Sequence, residues 1–235
     1  YLWSSINHSI TTNAFANSVI YYDDGRTKSS TINVNGNSFS SANIGGGFML
    51  FKKLLEVSPS IDASYNKSFS EVDGELNTST NRSIGGGLEF TVELESLEFY
   101  VSGYYEYTSP LNSISQQSIS PYAAQSLESG LEWDLPMNIY FETELEYTMN
   151  LNRSDGYNIN FAIWNASLSK NFLKSENLVL AIDVYDILGQ NLSADRYVSS
   201  NMITDTRSNI ITRYFLGRLT YKFNSTKKIE EDDFF

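Results

Sequence analysis

The 235-residue sequence has no cysteine, a single histidine and four prolines, and its net charge is −12. Without cysteine, a disulfide framework and any thiolate metal or nucleophile site are excluded. No apolar run approaches the roughly 18 residues that a membrane helix needs. Basic residues are outnumbered, with 16 lysines and arginines against 28 acidic residues. Nucleic acid is therefore not an expected partner, because its recognition calls for clustered lysine and arginine.

What the sequence does contain is period-2 alternation of apolar and polar residues, which is typical of β-strands. In the stretch 97–107, Phe99 and Val101 fall on one side while Glu98 and Glu106 fall on the other. Mean hydropathy is −0.29, the value of an ordinary soluble protein. A membrane strand needs only about 9–11 residues with every second one apolar, so an average over the chain does not detect it.

We predict an all-β chain of about ten strands, joined by turns and loops. The predicted strands span residues 3–22, 30–51, 55–69, 80–94, 97–108, 119–134, 137–150, 157–172, 177–188 and 209–223. Apolar residues occupy both phases of 157–172, which leaves a bulge open there.

Tight and long connections alternate along the chain. The tight ones lie around 52–53, 95–96, 134–136 and 173–175. The long polar ones are 23–29, 70–79, 109–118, 151–156 and 189–208. An up-and-down meander whose two ends face different compartments has this alternation, and outer-membrane barrels have short periplasmic turns and long extracellular loops.

Strand length and aromatic placement favour lipid over a protein core on the apolar face. Soluble strands usually have about 5–6 residues, whereas most of these run past ten. Aromatics cluster near strand ends, as interfacial belts do. The residues predicted to face lipid are Phe99, Val101, Phe141, Leu145, Leu180, Ile182 and Phe215. A soluble β-rich adhesin is the alternative on this point.

The last third of the chain resembles a known family. It contains Lys170, Phe172 and Leu173, then Asp183, Asp186, Leu188, Gln190 and Asn191, and finally the closing strand "RYFLGRLTYKF" from Arg213 to Phe223. These stretches, with "YYDDGRTKSSTINVNGN" at 21–37, resemble the barrel ends of Bacteroidetes-type TonB-dependent receptor-like outer-membrane proteins. Gly189 departs from the family pattern, which often has Asn there.

The resemblance implies a transmembrane antiparallel up-and-down β-barrel, of which residues 1–223 are the C-terminal part and 224–235 a periplasmic tail. The family's barrels have roughly 22 strands around a plug domain, whereas residues 1–223 supply about ten predicted strands. The implied function is the wall for energised uptake of a large nutrient, an iron chelate, a glycan or a peptide, in the bacterial outer membrane. A non-transporting scaffold and a complete small ten-stranded barrel, including a surface enzyme, stay open.

The resemblance also implies partners. They are outer-membrane lipid, the barrel-assembly machinery and, through a missing N-terminal part, a plug domain, TonB and a surface lipoprotein. The assembly signal would be Leu219, Tyr221 and Phe223, on an edge strand that another sheet can bind. The loop 189–208 offers Arg196, Tyr197 and Arg207 for ligand contact.

Little in the sequence points to an enzyme, a cofactor or a metal. Nine glutamates are predicted to point into the barrel, namely Glu89, Glu93, Glu98, Glu106, Glu128, Glu132, Glu142, Glu144 and Glu146. A hydrated wall facing the basic groups of a plug explains them better than a cation-guiding channel or a glycosidase pair. His8, predicted on a polar strand face, is expected to be solvated rather than catalytic, and one histidine cannot build a transition-metal site. No catalytic, cofactor-binding or metal-binding residue is predicted.

Overall fold

The computed structural model of the chain describes residues 1–114, 120–153, 158–173, 176–198, 203–209 and 211–223. The strands are β1 Leu2–Thr11, β2 Ala14–Tyr21, β3 Thr27–Val34, β4 Asn37–Gly46, β5 Phe48–Leu50, β6 Leu55–Val72, β7 Glu75–Glu93, β8 Leu97–Asn112, β9 Tyr122–Leu135, β10 Ile139–Leu151, β11 Asn160–Phe172, β12 Leu178–Tyr185, β13 Leu192–Val198, β14 Ile203–Asn209 and β15 Tyr214–Tyr221. The one helical segment in these ranges is a 3₁₀ turn at Phe51–Lys53. No described helix is long and apolar enough to cross a membrane.

Thirteen strands form one up-and-down sheet, which is antiparallel except for a short parallel contact between β2 and β6. Its path runs β1-β4-β6-β7-β8-β9-β10-β11-β12-β15, which is ten strands. Strands β2, β3 and β5 attach beside this path, and β13 pairs with β14 in a separate two-stranded sheet. The all-β, antiparallel, up-and-down prediction is therefore confirmed. Within the described residues β1 and β15 do not pair, so the sheet is open and a closed barrel is not observed.

Two of the predicted strands are each divided into shorter strands in the structure. The stretch 3–22 is β1 and β2, separated at Asn13, whose φ is 56°. The stretch 30–51 is β3, β4 and β5, with the break between the first two at Gly36, whose φ is 88°. A positive φ leaves the extended region, so the paired strands bend at both points. Strands β2 and β3 continue the β1–β4 pairing in the same register and form its distal hairpin.

One predicted long loop is also wrong. Residues 70–79 continue β6 and β7, and the turn between them is Asp73 and Gly74 alone, with φ values of 52° and 83°. Positive φ at both central residues is the geometry of a two-residue hairpin turn, for which Asp-Gly is a preferred pair. In the described strand β11 no bulge interrupts the pairing with β10, which keeps one register from Asn160 to Lys170.

The two ends of the sheet differ. At one end the strands are joined by short segments, 94–96 between β7 and β8 and 136–138 between β9 and β10. At the other end lie the β2–β3 hairpin, the β13–β14 hairpin and the long tip of β6–β7. Following the alternating strand directions, Phe223 lies at the short-turn end. The elaborated end is the one where the sequence placed its long connections.

The two faces of the sheet are inverted relative to a soluble protein. Large apolar side chains on the outward face are exposed, with Phe99 at 40%, Leu180 at 46% and Phe215 at 71%. The buried hydrophobic residues are only small or medium in size, and Asn77 and Asp186 are the largest fully buried side chains among the described residues. In the described part of the chain the meander therefore has no large apolar core, and most of its buried side chains lie on the polar face.

Candidate functional site

The polar face is the candidate functional surface, because most of the buried polar side chains among the described residues lie on it. Register places Asn77, Thr108, Asn150 and Asp183 on this face, and each is buried. Asn77 is at the centre of a hydrogen-bonded cluster in which Ser113 Oγ donates to its Oδ1 at 3.1 Å. Buried polar groups require such partners. The side chains of this cluster are therefore held by hydrogen bonds to one another and not by solvent alone.

Four glutamates stand in one row across the polar face at the short-turn end. Glu93 lies opposite Glu98, Glu98 opposite Glu132, and Glu132 opposite Glu142, on four consecutive strands. Neighbouring strands are about 4.8 Å apart, and like charges directly opposite are destabilising. Within the described residues, the ion pairs are Arg26–Asp24 and Arg218–Asp183. The row therefore has no cation of its own in that part of the chain.

A second, deeper row repeats the pattern. It runs from Glu89 through Ser102 and Glu128 to Glu146 on β7, β8, β9 and β10. The Glu146 carboxylate accepts a hydrogen bond from Thr148 Oγ1 at 3.2 Å. Register thus confirms the alternation of the glutamates, because all nine predicted positions lie on the polar face. Seven of them form the two rows, while Glu106 and Glu144 lie outside both rows.

Aromatic rings lie flat on this face over glycines. A Cβ added to Gly45 would lie 2.5 Å from Cζ2 of Trp3, and one added to Gly130 would meet the ring of Tyr100. The ring of Tyr104 covers Gly87, where the corresponding distance to Cδ2 is 3.1 Å. Glycine is required at such points because a neighbouring ring occupies the space of a side chain.

A groove with a volume of about 340 Å³ opens between two of these rings. Trp3, Ser60, Gly87 and Tyr104 line it. They lie, with Gly45, in one register row that crosses β1, β4, β6, β7 and β8. The small residues Ser60 and Gly87 leave space between the rings of Trp3 and Tyr104. One side of the groove is formed by Glu89 and Glu128 from the deeper acidic row.

Asp62 fixes one end of the groove. The Tyr104 hydroxyl donates a hydrogen bond to Asp62 Oδ1 at 2.7 Å. This contact holds the ring down across β7, since Asp62 lies on β6, directly opposite Gly85 of β7. The Tyr104 ring is therefore positioned by a side-chain bond as well as by the glycines beneath it.

The motif that carries the family resemblance has a local structural role. The buried Asp186 carboxylate accepts the backbone N–H groups of Gln190 at 2.9 Å and Asn191 at 3.1 Å. Gln190 Oε1 in turn accepts the Ala162 N–H at 3.2 Å. Carboxylates that accept several backbone N–H groups make strong bonds. These residues therefore clamp the start of the β13–β14 hairpin onto β11.

The other acidic residue of that stretch, Asp183, belongs to a different contact. Its carboxylate accepts the Ser167 hydroxyl at 2.6 Å and lies 3.4 Å from Arg218 Nη2. Arg218 is more than half exposed while Asp183 is buried. This pair links β12 to β15 on the polar face.

The residues predicted to face lipid all lie on the outward face. Paired positions place Phe141 with Leu168, Leu168 with Ile182, and Leu180 with Leu219. None of the predicted set is buried. The predicted assembly residues Leu219, Tyr221 and Phe223 share this face and are exposed. What touches them stays a prediction.

Two other predictions have different outcomes. His8 is on the outward face with Ile6 and Ile10, not on a polar face, and its Nδ1 lies 2.8 Å from Ser40 Oγ. The loop residues Arg196, Tyr197 and Arg207 lie in β13 and β14 rather than in irregular loop, and their side chains fall outside the described part of the structure. The predicted tail 224–235 also lies outside the described residues.

The geometry offers no assembled metal centre in the ranges that the structure describes, where no three histidine or acidic side chains are grouped to hold an ion. Sequence reasoning missed the groove between Trp3 and Tyr104. The glycine-rich stretches "IGGGF" and "IGGGLEF" were the signal for it, since they contribute the positions over which the rings lie.

Fold and face pattern define the chain as an all-β protein built on one large up-and-down antiparallel sheet with an apolar outer and a polar inner face. No family model matches the sequence, and no curated protein and no solved structure matches it significantly.

Proposed function

We propose that this chain forms part of the wall of an outer-membrane β-barrel of the TonB-dependent receptor-like class. The observation that carries the proposal is the inversion of the two faces. The exposed outward face holds large apolar side chains such as Phe99 and Leu180, while the opposite face holds the glutamate rows and buried asparagines. A transmembrane barrel has this distribution, with an apolar band toward lipid and a polar interior.

The asymmetry of the sheet supports the same proposal. Strands β6 to β11 have 13 to 19 residues, more than the 9–11 or so that cross a bilayer. Their long tips and both separate hairpins are at one end, as extracellular elaborations are in outer-membrane barrels. Phe223 lies at the short-turn end, which becomes the periplasmic one.

The open edges support a larger barrel over a complete small one. Both β1 and β15 are exposed along their whole length. Unpaired strand edges bind other strands, and a barrel removes them by closure. In the proposed protein the remaining strands of the wall pair with these edges. The polar face then surrounds a plug domain, and the wall serves TonB-energised uptake of a large nutrient.

Brominated lipids test the outward face directly. Trp133 and Trp164 lie on that face, while Trp3 is on the polar one. We expect bilayers brominated on the acyl chains to quench variants that keep Trp133 or Trp164 as the sole tryptophan, and to leave a Trp3-only variant bright. Equal quenching of all three, or a protein that stays monomeric without detergent, would refute the membrane assignment.

A further inference from the structure

We infer that the groove between Trp3 and Tyr104 is a binding site for an alkylated ammonium cation. The inference goes beyond the proposed function, because the groove lies on the polar face whether or not lipid covers the other. Its volume of about 340 Å³ accommodates a small organic molecule.

The aromatic residues supply one half of the recognition. The indole of Trp3 covers the β4 backbone at Gly45, yet 46% of this residue is exposed. A ring that lies flat on a strand presents its outer face to the groove. The Tyr104 ring is held across its neighbouring strand by the hydrogen bond from its hydroxyl to Asp62. Aromatic faces attract cations through the ring quadrupole, and quaternary ammonium ligands are recognised in this way.

The carboxylates supply the other half. Glu89 and Glu128 line the groove on either side of Ser102, which places their strands about 10 Å apart. Neither has an ion-pair partner in the part of the chain that the structure describes. A concave surface lined by charges of one sign concentrates counter-ions.

The chemistry of the ligand follows from the combination. A neutral polyol would leave the carboxylates uncompensated, and a simple metal ion would find no assembled ligand set among the described residues. An ammonium group with attached methyl or methylene groups satisfies both elements, since its charge faces Glu89 and Glu128 while its alkyl surface lies against the rings.

Choline and its uncharged isostere 3,3-dimethylbutan-1-ol form the test pair. The folded protein, with phenylalanine at positions 133 and 164, keeps Trp3 as its only tryptophan. We expect choline to change Trp3 fluorescence saturably, and the isostere and KCl of equal ionic strength to leave it unchanged. Equal responses to choline and KCl would show that the fluorescence change is a general ionic-strength effect and not binding. Equal responses to choline and the isostere would show that the groove binds apolar groups without regard to charge. Either result, or no response, overturns the inference.

Paired charge variants locate the binding. Glu89→Gln with Glu128→Gln should raise the choline dissociation constant about tenfold or more, since both charges that attract the ammonium group are removed. Glu98→Gln with Glu142→Gln removes the same charge from the polar face outside the groove and should change it less than about twofold. Equal losses in both pairs contradict the site. A circular-dichroism strand signal equal to that of the parent shows that each variant is folded, and the lipid-quenching experiment can fail without affecting this one.

Discussion

Gly130 and Tyr100 occupy directly opposite positions on β9 and β8. The ring of Tyr100 lies where a side chain at 130 would be, and its hydroxyl approaches Glu144 at 3.5 Å. The contact of ring and backbone replaces a packed core at this point, because the polar face offers few apolar partners. Single residues on this sheet therefore act through neighbours on the next strand rather than through a shared interior.

A pair of glycine substitutions tests this at the residue scale. Gly130→Ala should lower the free energy of unfolding by about 1–3 kcal/mol, the usual cost of overpacking. Gly217→Ala should be neutral or raise it by about 0.5 kcal/mol, because no atom lies within 4 Å of the added carbon and alanine favours ordered backbone over glycine. Denaturant midpoints of the protein folded in detergent compare the two. Equal shifts would contradict the ring contact.

At the scale of the element, β15 combines two different surfaces. Leu219 and Tyr221 are exposed on its outward face, whereas Arg218 on its inner face pairs with Asp183 of β12. Among the described residues, the strand is hydrogen-bonded along one edge, to β12. Its free edge and its apolar face are together the features by which a sheet edge recruits another strand.

Replacing Tyr221 and Phe223 by Asp should stop the protein from reaching the outer membrane, because charge on the outward face removes the surface that the assembly machinery is proposed to bind. The amount of protein in the outer-membrane fraction, relative to the unaltered chain, measures this. Thr220→Asp with Lys222→Asp is the matched control, placing two carboxylates on the opposite face of the same strand. Normal yield of the first variant, or equal loss in both, would show that Tyr221 and Phe223 are not a signal.

At the scale of the whole molecule, stability depends on surfaces that this sheet does not cover itself. Its outward face is apolar and exposed, its edges β1 and β15 are unpaired in the described residues, and the glutamate rows lack cations there. Each surface calls for a different complement: lipid, strands and positive charge. In the proposed barrel these are the bilayer, the rest of the wall and the plug domain.

The 235-residue chain expressed alone should therefore associate through its edges. In mild detergent we expect oligomers by size-exclusion chromatography with light scattering, and no compact form whose electrophoretic mobility changes on boiling. Open strand edges pair with one another when nothing else covers them. A monomeric, heat-modifiable species would instead identify a complete small barrel, and the proposal of a larger wall would fall.

The strand identities and the short-turn ends of β6 to β12 follow from local pattern, because alternation over many residues and the turn residues between them are readable along the chain. The breaks at Asn13 and Gly36 could not be predicted in this way. The residues around them are polar, so no regular apolar alternation is visibly interrupted there. The Asp-Gly turn at 73–74 was readable and was mistaken for loop.

Composition and periodicity were sufficient for an all-β meander with one apolar and one acidic face, since both depend only on neighbours in sequence. Three features required the folded sheet: the alignment of Glu93, Glu98, Glu132 and Glu142 in one row, the Trp3–Tyr104 groove, and the placement of His8 among apolar residues. They depend on strand register, which shifts every side chain to the other face when it slips by one residue. Register is set by pairing between strands, so it cannot be read from the sequence of one strand alone.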